Sequence, residues 1–303
     1  MGPLRALIIY IVLVFLGGAL LAPWLYWLAQ SFAHEFPGIA GNPFHRFLDR
    51  SIMGLALIGL WPFLRSVGAD SLKELGLARS GGRLKQFGGG LLLGFVSLAA
   101  VAGFALAAGA QHLNGTVPAA QLAENITGIA LTAVVVAVLE EILFRGVLFG
   151  SLRKVFNWVF ALGLSSLIYA SVHFMESAKW TGTVTWLSGF ELLPRLLRGI
   201  EDPHAFFPGF INLTLAGGLL GLAYQRTGSL YCSIGLHAGW IFWIKLYGLM
   251  TDSAHAGNAW PWGMAKLIDG WFALPVLAAT VLIFAQWPVG RNREPPHERL
   301  RSL

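Results

Sequence analysis

The segment Glu140-Glu141-Ile142-Leu143-Phe144-Arg145 puts two carboxylates and a guanidinium on two helical turns. It directly follows residues 129–139, an apolar or near-apolar run that reads as the body of a membrane-spanning helix. An ionised side chain at mid-membrane depth costs about 2.5 to 3.5 kcal/mol on insertion scales, so such a group is read first as functional, with a partner inside the protein. Two further apolar segments carry one imidazole each: His173 in Tyr169-Ala170-Ser171-Val172-His173, and His237 in Gly235-Leu236-His237-Ala238-Gly239. Either histidine alone would be an ordinary satisfied core residue. Two of them on neighbouring spans, with a glutamate pair on a third, form the equipment for activating water. A desolvated carboxylate takes the proton, while the imidazoles bind a metal, hold the water or stabilise an oxyanion.

Helix geometry divides the cluster. Adjacent residues point about 100° apart, so Glu140 and Glu141 cannot both face one cavity squarely. Glu141 and Arg145 are four apart with the acid first, the spacing at which such a pair meets on a helix surface. Glu141 is therefore expected to pair with Arg145 and orient the helix end, leaving Glu140 presented to the interior. At about 1.5 Å per residue, Glu140 and His237 lie on the order of 12 to 15 Å from the inner surface and His173 on the order of 20 to 25 Å, a gap that tilt can close. With a divalent metal, such as zinc, Glu140, His173 and His237 would make a three-ligand site with an open position. No H-E-x-x-H motif occurs, so spacing does not call for the metal; no G-x-S-x-G occurs either, and Ser171 shares no helical face with His173.

The elements that must position these groups follow from composition. Hydrophobic residues make up 56% of the 303-residue chain and charged ones only 12%, with 12 Trp and 21 Phe, which gives a polytopic all-α membrane protein. The net charge of +6 has no basic run interleaved with exposed aromatics, so nucleic acid is not an expected partner; the lipid bilayer is. The single Cys232 rules out an intrachain disulfide and reads as packing. Segments long enough to cross about 30 Å of hydrocarbon recur about eight times. They lie near 6–28, 51–68, 88–110, 126–149, 157–176, 206–225, 229–250 and 268–287, the second interrupted by Trp61-Pro62 and open to a re-entrant reading. The first is too long for a signal peptide and is read as a retained span.

Lys and Arg counts set the orientation. With the N-terminus inside, the inner connections hold Arg5; Arg65, Lys73, Arg79, Arg83 and Lys85; Arg153 and Lys154; Arg226; and four arginines of the tail. The outer connections hold Arg46, Arg50, Lys179, Arg195, Arg198 and Lys266, so both termini are expected in the cytoplasm. Residues 69–87 suggest a short amphipathic helix on the inner surface, and 177–205 an interfacial lid, docking surface or surface helix. The tail 288–303 is polar and expected to be disordered. Gly217, Gly218 and Gly221 offer a small-xxx-small spacing for close helix packing. Asn212 and Thr214, on the same segment, are candidates for a polar cavity or interhelical hydrogen bonds.

The ordered elements Glu140-Glu141-x-x-x-Arg145, Tyr169-x-x-x-His173 and the Gly-containing segment leading through Thr227-Gly228-Ser229-Leu230 to His237 resemble the CPBP family. These are the CAAX-processing and bacteriocin-processing (Abi) intramembrane endopeptidases. The resemblance covers about residues 72–250, beginning with Leu75-Gly76-Leu77, within a single membrane domain 1–303 whose first two spans and last span are peripheral. It implies an eight-helix hydrolase that cuts a peptide bond of a membrane-tethered or lipidated substrate. Glu140 would be the base, supported by Glu141 and Arg145, with His173 and His237 as water, metal or oxyanion partners. Two positions depart from the family pattern. Tyr169 stands where Phe is usual, and Ile241 stands four residues after His237 where Asn is usual, which leaves Asn212 as a candidate substitute.

Two other classes remain from sequence. One is a non-catalytic scaffold, immunity or binding protein that keeps the fold; the other is a proton-coupled transporter, which would show paired broken helices. The Ala, Gly and Trp-rich composition points to a bacterial cytoplasmic membrane.

Overall fold

Apolar runs of this length leave the backbone only one way to satisfy its own polar groups in lipid, as helix. The computed structural model describes residues 2–68, 71, 73–77, 82–113, 119–174, 180–195, 203–253, 259–263 and 267–286. In chain order the helices are α1 Pro3–Ser31, α2 Pro37–Ala40, α3 Phe44–Ser66, α4 Arg83–Ala107 and α5 Ala119–Glu141. Helix α5 continues as a π-helix, Ile142–Phe149, and a last turn, α6 Gly150–Leu152. Then come α7 Trp158–His173, α8 Ser188–Leu192, α9 Pro203–Thr227, α10 Leu230–Met250, α11 Ala259–Trp262 and α12 Ala273–Gln286. Strands β1 Gln111–Leu113 and β2 Thr251–Ser253 pair antiparallel, with Gln111 opposite Ser253.

Each of the eight expected spans coincides with one of these helices. Pro3–Ser31, Phe44–Ser66, Arg83–Ala107, Leu122–Leu152 and Phe206–Thr227 are long and apolar enough to cross a membrane, and Trp158–His173 and Ala273–Gln286 are shorter apolar helices. The chain is an all-α integral membrane protein. The span ends differ from expectation in two places. Helix α3 starts at Phe44, so Arg46 and Arg50 lie on it rather than in a connection, because Phe44, Phe47, Leu48 and Ser51 form a buried face. It also runs through Pro62 to Ser66 without the expected break. So close to the helix end, a proline disturbs only the final turn.

The chain divides into two compact units, Met1–Asp70 with Val172–Asp202, and Ser71–Ser171 with Pro203–Leu303. In the first unit α1 packs along α3 and α8 packs on α1. The Tyr10 hydroxyl donates to the Ala56 carbonyl at 2.6 Å. Gly189 of α8 lies against the Ala19 carbonyl, where a methyl group would overlap backbone. Leu192 is fully buried, the Trp180 ring stands edge-on to Phe44 at 5.9 Å, and the Arg195 guanidinium lies 5.3 Å from the Trp180 ring centre. The described part of the 177–205 connection is therefore folded onto helices by its apolar side chains. Lys179, Leu196, Leu197 and Arg198 fall outside the described residues, as do the tail 288–303 and Lys266.

The expected surface helix over 69–87 is not present among the described residues. Ser71 and residues 73–77 form a turn, and α4 has begun by Arg83. The reason lies in Leu75-Gly76-Leu77. Leu75 is buried, Gly76 takes the left-handed φ of 80° that favours glycine, and its carbonyl accepts the Leu230 N–H at 2.9 Å. The turn is thereby fastened to the start of α10.

The core of the second unit is the contact of α10 with α4, joined by α5, α9 and α12. Gly90 lies against the Cys232 carbonyl, Gly94 against the Leu236 carbonyl and Gly235 against the Phe87 carbonyl; a Cβ on Gly239 would stand 2.8 Å from the Leu91 carbonyl oxygen. Two small-xxx-small pairs, Gly90/Gly94 and Gly235/Gly239, thus face each other and let two backbones touch. The Trp240 indole N–H then donates to Ser97 Oγ at 2.9 Å across the same seam. In lipid, where apolar burial drives little association, such close packing and buried hydrogen bonds hold helices together. Cys232 is free and buried in this seam, as its apolar setting suggested.

Gly94→Ala places a methyl group against a backbone carbonyl that no rotamer change can move. It is expected to destabilise the protein by about 1–3 kcal/mol, as overpacking does. Gly103→Ala on the same helix, where a Cβ meets nothing within 4 Å, should be neutral or stabilise by up to about 1 kcal/mol. Thermal unfolding of the two variants in one detergent measures the contrast.

Candidate active site

Three elements of the second unit bring the charged groups together. Glu140 and Glu141 end α5, Arg145 lies in the π-helix that follows, and His237 projects from α10 between the two glycines that hold that helix to α4. An i→i+5 helix is rare and recurs at functional sites. Here the Gly150 N–H reaches back to the Arg145 carbonyl.

Glu141 is the centre. Its side chain is fully buried, and Oε1 accepts from Arg145 Nη1 at 2.8 Å and from His237 Nδ1 at 2.9 Å. The pairing expected from the four-residue spacing is present, and it is extended by a histidine that spacing does not reveal. Arg145, also buried, donates from Nη2 to the Gly217 carbonyl at 3.3 Å and sets its guanidinium carbon 4.5 Å from the centre of the Tyr169 ring. One planar cation thus binds the end of α5, the backbone of α9 and an aromatic face of α7, a combination a lysine does not reproduce.

An oxygen that accepts from a guanidinium also accepts from the ring, so Nδ1 carries a hydrogen. Nε2 lies 3.4 Å from the Tyr169 hydroxyl and 3.8 Å from Glu140 Oε2. Both glutamates therefore reach the same imidazole from opposite sides, although adjacent helical residues were not expected to share a cavity squarely. The ring spans the angle between them. Burial differs sharply: Glu141 is sealed, whereas the Glu140 side chain is 26% exposed. Glu140 is the less buried of the two carboxylates, although its Oε2, which faces the ring, is covered.

Asn212 and Thr214 are committed to other partners. His173 is the last residue of α7, one turn beyond Tyr169; it belongs to the first unit and its side chain is exposed. Asn212 is fully buried, and its amide donates to the carbonyls of Ile268 at 2.9 Å and Gly270 at 2.8 Å. Both of its N–H groups are committed to the loop before α12. Thr214 donates to the Phe210 carbonyl of its own helix at 2.7 Å. Ile241 lies one turn beyond His237 and is half-buried. Of the α9 glycines, Gly217 and Gly221 do admit α7: a Cβ on Gly217 would meet Tyr169 Cδ1 at 3.1 Å, and one on Gly221 would overlap Leu162. The role of the Gly217 carbonyl as an acceptor for Arg145 was missed. Gly90/Gly94 against Gly235/Gly239 was missed as well, though the same spacing rule that singled out α9 would have found it.

No group of three or more His, Cys, Asp or Glu side chains is arranged to hold a metal ion among the described residues. Glu140 and His237 bring one oxygen and one nitrogen together, and Nδ1 is already engaged by Glu141. Glu140 Oε2 and His237 Nε2 are the oxygen and nitrogen donors that the second unit contributes.

Residues 122–243 match the family model of the type II CAAX prenyl endopeptidases, Rce1-like. The matched stretch runs from α5 to just beyond His237 and contains Glu140, Glu141, Arg145, Tyr169, His173 and His237. The family resemblance read from the three ordered motifs is borne out over that stretch, and at family level it is one of CAAX-type intramembrane endopeptidases. No curated protein and no solved structure matches the chain.

Arg145→Ala strands the Glu141 carboxylate in a buried site with one partner removed, and should cost about 3–5 kcal/mol of stability. The double variant Glu141→Gln/Arg145→Ala leaves no uncompensated charge and should be less destabilised than Arg145→Ala alone. Unfolding of the single and double variants in detergent checks the order, and the reverse order would mean that the ion pair does not hold this helix end.

Proposed function

We propose that the protein is an intramembrane endopeptidase that hydrolyses a peptide bond of a membrane-tethered or lipidated protein or peptide, with Glu140 as general base. The observation that carries this reading is the convergence of a partly exposed carboxylate and a sealed one on the two nitrogens of one buried imidazole. The family match over residues 122–243 supports the reaction class and implies a prenylated, membrane-associated kind of substrate.

In the proposed reaction Glu140 takes a proton from water as the oxygen attacks the substrate carbonyl carbon. The resulting tetrahedral species collapses with cleavage of the C–N bond, and Glu140 returns the proton to the departing amine. Atoms and charge balance, and the glutamate is regenerated. Glu141 and Arg145 do not touch substrate in this scheme. They hold the His237 ring in one tautomer and at one angle, as the third member of a base–orienter arrangement does. His173 enters on the family pattern alone, as the second imidazole facing the water or the oxyanion. The Lys and Arg distribution supports both termini on the cytoplasmic side, and the Ala, Gly and Trp-rich composition supports a bacterial cytoplasmic membrane.

The test compares membranes from cells carrying the wild type and Glu140→Gln, searching for protein termini that require the wild type. The variant keeps the shape of the side chain, so it should fold and lose cleavage altogether. A wild-type-dependent terminus identifies substrate and cut site together. If both membranes show the same termini with the protein folded and present, the endopeptidase reading fails and the non-catalytic binding reading takes its place.

A further inference from the structure

We infer that Tyr169 is a positioning residue for His237: its hydroxyl donates to Nε2 and holds the ring, from the side opposite Glu141, as the neutral tautomer with hydrogen on Nδ1. Three observations carry this. The hydroxyl oxygen lies 3.4 Å from Nε2, at the long end of the hydrogen-bond range, and contacts of this kind commonly tighten when a site is filled. The side chain is buried, and its oxygen also meets the Arg145 guanidinium, a donor only, so the phenol's own hydrogen is the one left to give. The ring itself is clamped, edge-on to Phe144 at 5.0 Å, facing the Arg145 guanidinium at 4.5 Å, and against Gly217, where no side chain intervenes.

The donor direction follows from the network. Glu141 Oε1 already accepts from Arg145 and from Nδ1, so in the neutral ring of this assignment Nε2 is the acceptor and the tyrosine supplies the hydrogen. His237 is then bracketed, with a carboxylate fixing the protonated nitrogen and a phenol fixing the bare one. The charged groups facing the phenol are Arg145, Glu140 and Glu141, all already in the network. Glu141 thus holds the ring directly, while Arg145 acts through Glu141 on one side and through Tyr169 on the other. Its kinetic consequence rests on the proposed function; the bond itself does not.

Tyr169→Phe removes one oxygen atom and leaves the ring contacts in place, so the variant should fold. The experiment has two readouts. In protein labelled with nitrogen-15 at histidine, with the His237 signals identified by their loss in His237→Gln, wild type should show Nδ1 protonated and Nε2 a hydrogen-bonded acceptor. In Tyr169→Phe the Nε2 signal should move towards that of a free lone pair while Nδ1 keeps its hydrogen. An unchanged Nε2 signal, or a wild-type ring with hydrogen on Nε2, overturns the inference whether or not the protein is a peptidase. On a substrate found by the Glu140 comparison, kcat should fall about tenfold, equivalent to about 1.4 kcal/mol, with KM unchanged. A kcat equal to wild type, or a loss confined to KM, overturns the positioning role. Absence of any wild-type cleavage falls on the proposed function alone, and the nitrogen signals still decide the hydrogen bond.

Discussion

A carboxylate with no exposed surface, inside a protein that sits in lipid, is the constraint on which the second unit depends. Removing such a charge from water costs several kcal/mol even after relaxation, and the loss is offset only by charge and hydrogen bonds of good geometry. Glu141 obtains both from two directions, a guanidinium one helical turn away and an imidazole nearly a hundred residues later in the chain. Neither donor is local to the other. The end of α5 and the middle of α10 are tied through a single oxygen atom, and the second arm of Arg145 carries the tie to the backbone of α9 at Gly217. A polar cluster in this setting does not merely occupy the interior; it selects which helix turns lie beside each other.

That selection is useful only if His237 is presented at a fixed depth, and the glycine seam provides this. Gly235 and Gly239 bracket the histidine and lie against α4, whose Gly90 and Gly94 return the contact. Sliding α10 by even one residue would drive a side chain into a backbone carbonyl. The turn that carries the imidazole is therefore among the most tightly held in the second unit, and its other end is fastened by the Leu230 N–H to the carbonyl of Gly76. Small residues near a charged cluster have a chemical purpose here. They fix α10 against α4, and with it the position from which the ring meets a carboxylate on α5.

Much of this was legible in the sequence because lipid simplifies the physics. Long apolar runs have to be helices, so all eight helix positions could be read, and charge inside such a run has to be paired, so Glu140, Glu141, Arg145 and His237 stood out. The Glu141–Arg145 pair was legible because four-residue spacing is a local rule. What failed was what depends on contacts distant in the chain. Nothing local to His237 says which glutamate it meets, and nothing near Asn212 says that its amide will be consumed by the carbonyls of Ile268 and Gly270. Among the described residues, Ser71 and 73–77 form a turn where the leucine spacing suggested a surface helix, because Leu75 is buried beside Leu230 at the start of α10. The π-helix was not legible either, since an i→i+5 ladder has no compositional signature.

The two adjacent glutamates illustrate how an identical side chain acquires two roles from position alone. Oε1 of Glu141 is occupied by two N–H donors and the whole side chain is closed to solvent, so a water molecule has no path to it. Glu140, one residue earlier, approaches the same ring from the other side and keeps about a quarter of its side chain exposed. Position, more than the identity of the acid, sets the two apart: the sealed carboxylate fixes the ring, and the partly exposed one is the base of the proposed reaction. A change that opened Glu141 to water would not add a second base, because it would release His237 and with it the geometry that Glu140 works against. The division of labour is thus a property of the network, and it holds only while Arg145 keeps α5, α9 and α10 in their present register.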